Sequence, residues 1–353
     1  MTGRTSAAVF AAPPADPSVH RAARASALAA GLLGAVVLLV ALCALSLAVG
    51  ARDLPLHTVW DALRADDGSE AAHIVRHLRL PRTLLAVLVG AGLGLAGALM
   101  QALTRNPLAD PGLLGVEIGA AMAVVVAISL LGITQAWVYV WFALAGSAVA
   151  SVVVYLLGAS GRAVNPERMV LAGAAVSAAL TACVAALLLL DGQAFDKYRF
   201  WVVGSLAGRE LSLLWEVGPF IASGALIAFG LGRGLNALAL GEETGKALGV
   251  PAGQVRVAGA LAVTLLCGGA TAIAGPIGFV GLAVPHMARL VTGPDNRWVL
   301  PYSAVLAALL IVAADVLGRI VAAPTEVEVG VVMAFLGAPV FIALCRRRRI
   351  AQL

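Results

Sequence analysis

From Ser26 to Val49 the chain carries no charged residue, and the pattern repeats from Thr83 to Thr104, between Arg82 and Arg105. About 20 apolar residues let a helix cross the hydrocarbon core of a bilayer. Runs of this kind put most of the chain in a membrane. Ile118 to Gly161 is also uncharged. It is too long for one crossing and is broken at Gly132-Ile-Thr-Gln135, which predicts one span near 113–131 and another near 136–158. Met169 to Leu190 is a further span, and one near 212–232 begins close to Glu216. Val257 to Ala288 is interrupted at Gly275-Pro276, so a full span precedes the break and a short helix, about 279–291, follows it. Leu300 to Ala314 opens the ninth span, and Val329 to Cys345 is the tenth. The expected fold class is therefore all-α: a polytopic membrane protein with about ten transmembrane helices over 26–345.

Charge is scarce everywhere else as well. Hydrophobic residues make up 61% of the 353 and charged residues 12%, against roughly 25% charged in an average globular domain. This excludes a disordered chain, a soluble nucleic-acid binder and a secreted disulfide scaffold. The net charge of +5 is what basic cytoplasmic loops give a membrane protein. The first apolar run is too long for the core of a signal peptide. Residues 1–25 read as a cytoplasmic tail and 346–353 as a basic cytoplasmic C-terminus.

With ten spans both termini share a side. That side receives 15 of the Lys and Arg residues and the other receives 9, which predicts that both termini are cytoplasmic. The nine outer cations include Arg79, Arg82 and Arg319 and form an unusually large minority.

Two patterns imitate chemistry. Gly92-Leu-Gly94-Leu-Ala-Gly97 matches the dinucleotide fingerprint but lies inside an uncharged span, where no strand–turn–helix can form. Gly90, Gly94 and Ala98 share one helix face, which predicts close helix packing. Gly241-Glu-Glu-Thr-Gly245-Lys246-Ala247 resembles a phosphate loop. Its glycines are one residue too close, and Ala follows the Lys where Ser or Thr must bind magnesium. No catalytic set, metal-ligand spacing or cofactor motif is visible. The chain reads as a non-enzyme without cofactor or metal.

A further group of segments is specific in combination. It comprises Arg79-Leu-Pro-Arg82, Gly90 to Gln101, Arg105-Asn-Pro-Leu-Ala-Asp-Pro111, Leu114-Gly-Val116, Phe200-Trp-Val-Val-Gly-Ser-Leu206 and Leu235-Asn-Ala-Leu-Ala-Leu-Gly-Glu242. Gly275-Pro-Ile-Gly-Phe-Val-Gly281, Val284-Pro-His-Met-Ala-Arg289 and Gly337-Ala-Pro339 complete it. In this order the segments resemble the FecCD-type permease subunits of iron–siderophore and cobalamin ABC importers. The resemblance implies the type II importer permease fold, ten helices per subunit in the inner membrane of a bacterium. It implies four kinds of partner: a cytoplasmic ABC ATPase dimer, an extracytoplasmic siderophore-binding protein, a second permease subunit (identical or paralogous) and membrane lipid. The ferric-siderophore branch is favoured over cobalamin or haem import. An ion-coupled secondary transporter, using an acid such as Glu117 or Asp315, is the reading from another class.

The resemblance also assigns residues. The 233–256 segment becomes the coupling loop that docks on the ATPase, with Leu238, Leu240, Gly241, Glu242, Leu248 and Gly249 as its contacts. Read physically, it offers two short amphipathic helices, and Gly245 lengthens the turn between them because Gly weakens a helix by roughly 1 kcal/mol. Arg79, Arg82 and Arg319 become a basic rim that receives acidic residues of the binding protein. The competing local account pairs Arg319 with Asp315 and lets all three arginines snorkel to lipid phosphates. In Arg105 to Pro111, the side chains of Asn106 and Asp110 are expected to bond turn backbone. Gly275, Pro276 and Gly278 break a helix at membrane depth, which marks either a substrate pathway or a sharp reversal. Glu117 is a second pathway candidate because an acid near the bilayer is costly; a helix N-terminus would also accommodate it and Glu328.

Overall fold

The structure, a computed structural model, describes residues 17–50, 53–133, 135–158 and 166–346. The tail over 1–16 and the basic residues 347–353 lie outside the described residues. Every regular element among those described is helical. In chain order α1 (Pro17–Ala48) is followed by two short helices, α2 (Leu56–Arg64) and α3 (Glu70–His73). A π turn, Ile74–Arg79, joins α3 to α4 (Leu80–Thr104). A 3-10 turn, Pro111–Leu114, leads into α5 (Val116–Ser129), then α6 (Ala136–Gly158), α7 (Pro166–Leu190), α8 (Gly192–Val202), α9 (Ser212–Glu216) and α10 (Gly218–Ala239). The chain ends with α11 (Glu242–Ala247), α12 (Ala252–Ala274), α13 (Val280–Thr292), α14 (Asn296–Val321) and α15 (Val329–Arg346).

Seven helical segments are long and apolar enough to cross a membrane, the first Ala23–Ala48 and the last Asn296–Val321. Two shorter apolar helices, α5 and Val329–Ile342 of α15, follow the same pattern. The 13-residue α13 begins against Gly97 near the end of α4 and is a half-length helix, like the short segment expected after the Gly275-Pro276 break. We call the face where α1 begins and α15 ends the near face, and its opposite the far face. The sixth span departs from expectation. It is α10, Gly218–Ala239, not 212–232. Pro219 starts it, since proline suits the first helical turn, and the helix runs past Arg233, whose exposed side chain can snorkel.

The pillar of the fold is α4. Over its most apolar window 78% of residues are buried, against none for α1. The glycines make this possible. A Cβ at Gly94 would overlap the Ser303 carbonyl of α14, and one at Gly97 would overlap Gly281 of α13. The fingerprint-like glycines are thus a packing face, as their helical spacing predicts. The outward side of α1 is large and apolar, with Leu33, Val37, Leu38 and Val40 exposed.

Candidate functional site

On the far face, three helix ends meet around the arginines of the expected basic rim. Arg79, Arg82 and Arg319 are only 7%, 8% and 3% exposed. Arg79 Nη1 donates to the Leu47 and Ala48 carbonyls, both at 2.8 Å. Arg319 Nη1 donates to the Ser46 carbonyl at 2.9 Å and the Val49 carbonyl at 3.1 Å. Both guanidinium groups therefore cap the C-terminus of α1, where the last carbonyls of a helix lack intrahelical donors and the helix dipole favours a cation. Arg76 does the same for α2, donating from Nε to the Ala62 carbonyl at 2.5 Å and from Nη2 to the Leu63 carbonyl at 3.0 Å. Arg82 pairs with Asp315 at 2.8 Å and with Glu326 at 2.5 Å. Asp315 also pairs with Arg319 at 3.0 Å, the i, i+4 contact the sequence predicts.

This corrects the expectation of an open basic rim. The three arginines are buried and engaged within the chain: Arg79 and Arg319 because the outward end of α1 needs donors, and Arg82 because it pairs with Asp315 and Glu326. Snorkelling to lipid is not their geometry either. The outermost contact is Arg82 with Glu326, whose side chain is 33% exposed.

Below this clamp, the chain breaks between α12 and α13. Gly275 has φ 77° and Phe279 φ 68°, a strained value for a bulky side chain. Gly204 fits against the Pro276 carbonyl, and Gly275 has no room for a side chain beside the Trp201 carbonyl. Ser205 N donates to the Ala274 carbonyl at 2.7 Å. The break at Gly275 and Pro276 is thus packed against the 201–205 segment, while Gly278 faces open space.

The short α13 contains Pro285, which has no N–H to give to the carbonyl four residues earlier. That carbonyl belongs to Gly281. The buried Gln101 of α4 supplies the donor: its Nε2 reaches the Gly281 carbonyl at 3.2 Å and the Leu282 carbonyl at 3.1 Å. Its Oε1 accepts from Arg289 Nη1. Sequence reasoning missed this role of Gln101. The signal was present, since a proline inside a membrane helix calls for a donor from a neighbour.

In the near-face turn, Asn106 Oδ1 accepts from Leu108 N at 2.9 Å and Asp110 Oδ1 from Gly112 N at 2.8 Å, as the sequence predicts. Glu117 lies in the first turn of α5, and its carboxylate and that of Asp110 flank the same glycine, Gly112. The N-terminal placement favours a negative charge. Glu328 immediately precedes α15, and its carbonyl accepts from Val331 N and Val332 N.

The coupling segment is shorter than expected. Residues 233–239 belong to α10, so only α11 is a separate short helix. Leu238 is 4% exposed and packs inward, whereas Leu240 and Leu248 are 67% and 61% exposed. Leu238 is therefore corrected from a surface contact to a core residue of α10. Gly241 (φ 113°) and Gly249 (φ 78°) bound the helix. Gly245 does not lengthen the turn; it sits inside α11, facing Ala237 and Leu238 at ordinary van der Waals distance. The phosphate-loop imitation is thus a helical turn. Glu242 accepts from Arg256 Nη2 of α12 at 2.9 Å and pairs with Lys246 at 3.2 Å. The Arg256 and Lys246 bonds hold its carboxyl below the usual carboxylate range. Nearby, Asp295 caps α14 through Arg297 N at 3.0 Å and accepts from Asn236 Nδ2 at 2.6 Å.

Seven long apolar helices with shorter ones between them, a broken α12–α13 pair and one short exposed helix on the near face form a permease-like frame, and the FecCD transport family model matches residues 24–347. The chain belongs to the FecCD transport family. The ferric enterobactin transport system permease protein of Escherichia coli (strain K12) is 46% identical over 317 residues, 89% of this chain and 94% of that one. A probable siderophore transport system permease of Bacillus subtilis (strain 168) is 42% identical, over 88% of this chain and 93% of that one. The hemin transport system permease of Yersinia pestis is 38% identical, over 90% and 96%. A solved metal-chelate type ABC transporter in an inward-facing conformation superposes with a TM-score of 0.79 at 28% identity. It covers 89% of this chain and 98% of that one. The chain is accordingly a membrane permease of the ABC importer type. Among the described residues, no group of three or more His, Cys, Asp or Glu is placed to hold a metal ion.

Proposed function

We propose that this permease is the membrane-spanning subunit of an ABC importer that carries ferric siderophores into a bacterial cell. The observation that carries this is the match to the ferric enterobactin permease along 94% of that protein's length. The subunit takes no part in ATP chemistry. It borrows hydrolysis from a cytoplasmic ATPase dimer, which docks on α11 through Leu240, Gly241, Leu248 and Gly249. An extracytoplasmic binding protein delivers the cargo.

This reading puts the near face in the cytoplasm. Arg76, Arg79 and Arg319 serve as caps for α1 and α2, so their place on the far face is not an orientation signal. The remaining cations then follow the positive-inside bias more closely. The binding protein docks over the far-face clamp, where an acidic side chain displaces Glu326 from Arg82 while Asp315 stays in place. Gly275, Pro276, Gly278 and Glu117 lie along the cargo pathway. A second permease subunit packs on α7. The exposed side of its middle turns is built from small residues, including Ala174, Ala178, Thr181, Ala182 and Ala185, between the exposed Leu171 and Leu189 near its ends. Small residues let membrane helices approach closely.

The test is uptake by proteoliposomes holding the permease with its ATPase and binding protein. Ferric enterobactin, haem and cobalamin are offered separately. Preferential uptake of the ferric siderophore is expected; preferential uptake of haem or cobalamin would overturn the assignment.

A further inference from the structure

The covalent link between α11 and α12 is short and contains a pivot. Gly249 has φ 78° and open space where a side chain would sit. Pro251 then precedes α12. Through this link alone, α11 could tilt without moving α12. One side-chain pair closes the pivot: Arg256, on the first turns of α12, reaches back to Glu242 at the start of α11. The Arg256 side chain is 10% exposed, whereas Lys246, the other cation on Glu242, is 64% exposed. The tie to α12 is therefore the sheltered one.

Arg256 also lies beside Met100, Leu103 and Thr104 of α4 and Met169 of α7. It stands where the coupling helix meets the near-face ends of two membrane helices. From there α12 runs 23 residues without interruption, about 34 Å at 1.5 Å per residue. It ends at Ala274, whose carbonyl holds the far-face segment at Ser205.

We propose that the Glu242–Arg256 pair is the joint that passes movement of the coupling helix to α12, and through it to the far face. Both are positioning residues for transport. The proposal rests on the reading that α11 docks on the ATPase.

The test uses the assembled importer with its ATPase and binding protein, and reads ferric enterobactin uptake and ATP hydrolysis in parallel. Coupling between sites typically amounts to about 5–150-fold. Arg256→Gln is therefore expected to keep the ATPase bound but to lower uptake per ATP at least about fivefold. Arg256→Lys, which can keep the pair, should stay within about twofold of the parent, below that coupling range. Glu242→Gln with Arg256→Gln should cost no more than Arg256→Gln alone, because one interaction is removed once.

Unchanged uptake per ATP in Arg256→Gln, or additive losses in the double variant, would overturn the joint. Loss of the ATPase from a folded Arg256→Gln complex would also overturn it, by making the pair part of docking. If Arg256→Gln does not assemble, Glu242→Gln is read for the same ratio. The docking reading fails separately, if Leu248→Asp retains the ATPase in full.

Discussion

Asp315 is the residue on which the far face turns. Its carboxylate is shared by Arg82 and Arg319, at 2.8 and 3.0 Å, in a site where it is 1% exposed. Removing one partner of a buried ion pair typically costs about 3–5 kcal/mol, because the other charge stays buried without it. Asp315→Asn is expected to lower stability by about that amount in a denaturation assay. A change below about 1 kcal/mol would mean that the arginines find other partners. Gln101→Leu should cost about 1–3 kcal/mol, the penalty for leaving the Gly281 carbonyl buried and unpaired. At the near face, Asp295 is held at about 2, chiefly by the Arg297 bonds, against the opposing effect of burial. A depressed carboxyl contributes fully above its unfolded value of about 3.9. The contribution is lost as pH falls through about 2. Asp295→Asn should therefore destabilise equally at pH 6 and pH 8, and the difference from the parent should shrink only toward that acid limit. The sequence marks the arginines as misplaced but not their solution, since Arg82 and Asp315 are 233 residues apart. The Arg319–Asp315 pair is local to one helix and was legible.

At the scale of elements, uncharged runs predict the crossings well because bilayer thickness and helix rise set their length. They predict helix ends less well. A helix continues past the bilayer when its polar residues reach water, so α10 absorbs the first seven residues, 233–239, of the segment expected to form two small helices. The spacing of Gly90 and Gly94 did reveal the α4 packing face, since residues four apart share a side. Gly94→Leu is expected to force α4 and α14 apart and to destabilise by at least about 1–3 kcal/mol. The same change at Gly230, which has nothing within 4 Å, should be tolerated in the same assay. Just past α11, the exposed Leu248 is a docking contact in this account, and Leu248→Asp should leave the permease folded in the membrane while the ATPase no longer co-purifies with it. Undiminished co-purification would exclude this side chain from the interface.

For the whole molecule, the proposed function joins the far-face clamp, the broken α12–α13 pair and the coupling helix into one lever system, through which cargo would pass when a separate ATPase hydrolyses ATP. The alternative is a carrier driven by an ion gradient, with Glu117 or Asp315 as the coupling acid. The structure gives Asp315 two arginine partners, which suits a fixed clamp more than an ion site. Uptake of ferric enterobactin by proteoliposomes is the most direct discriminant, with ATP, with a non-hydrolysable ATP analogue, or with an imposed proton or sodium gradient alone. The account predicts uptake that requires hydrolysable ATP, the ATPase and the binding protein together. Uptake driven by the ion gradient, with the ATPase omitted, would contradict it.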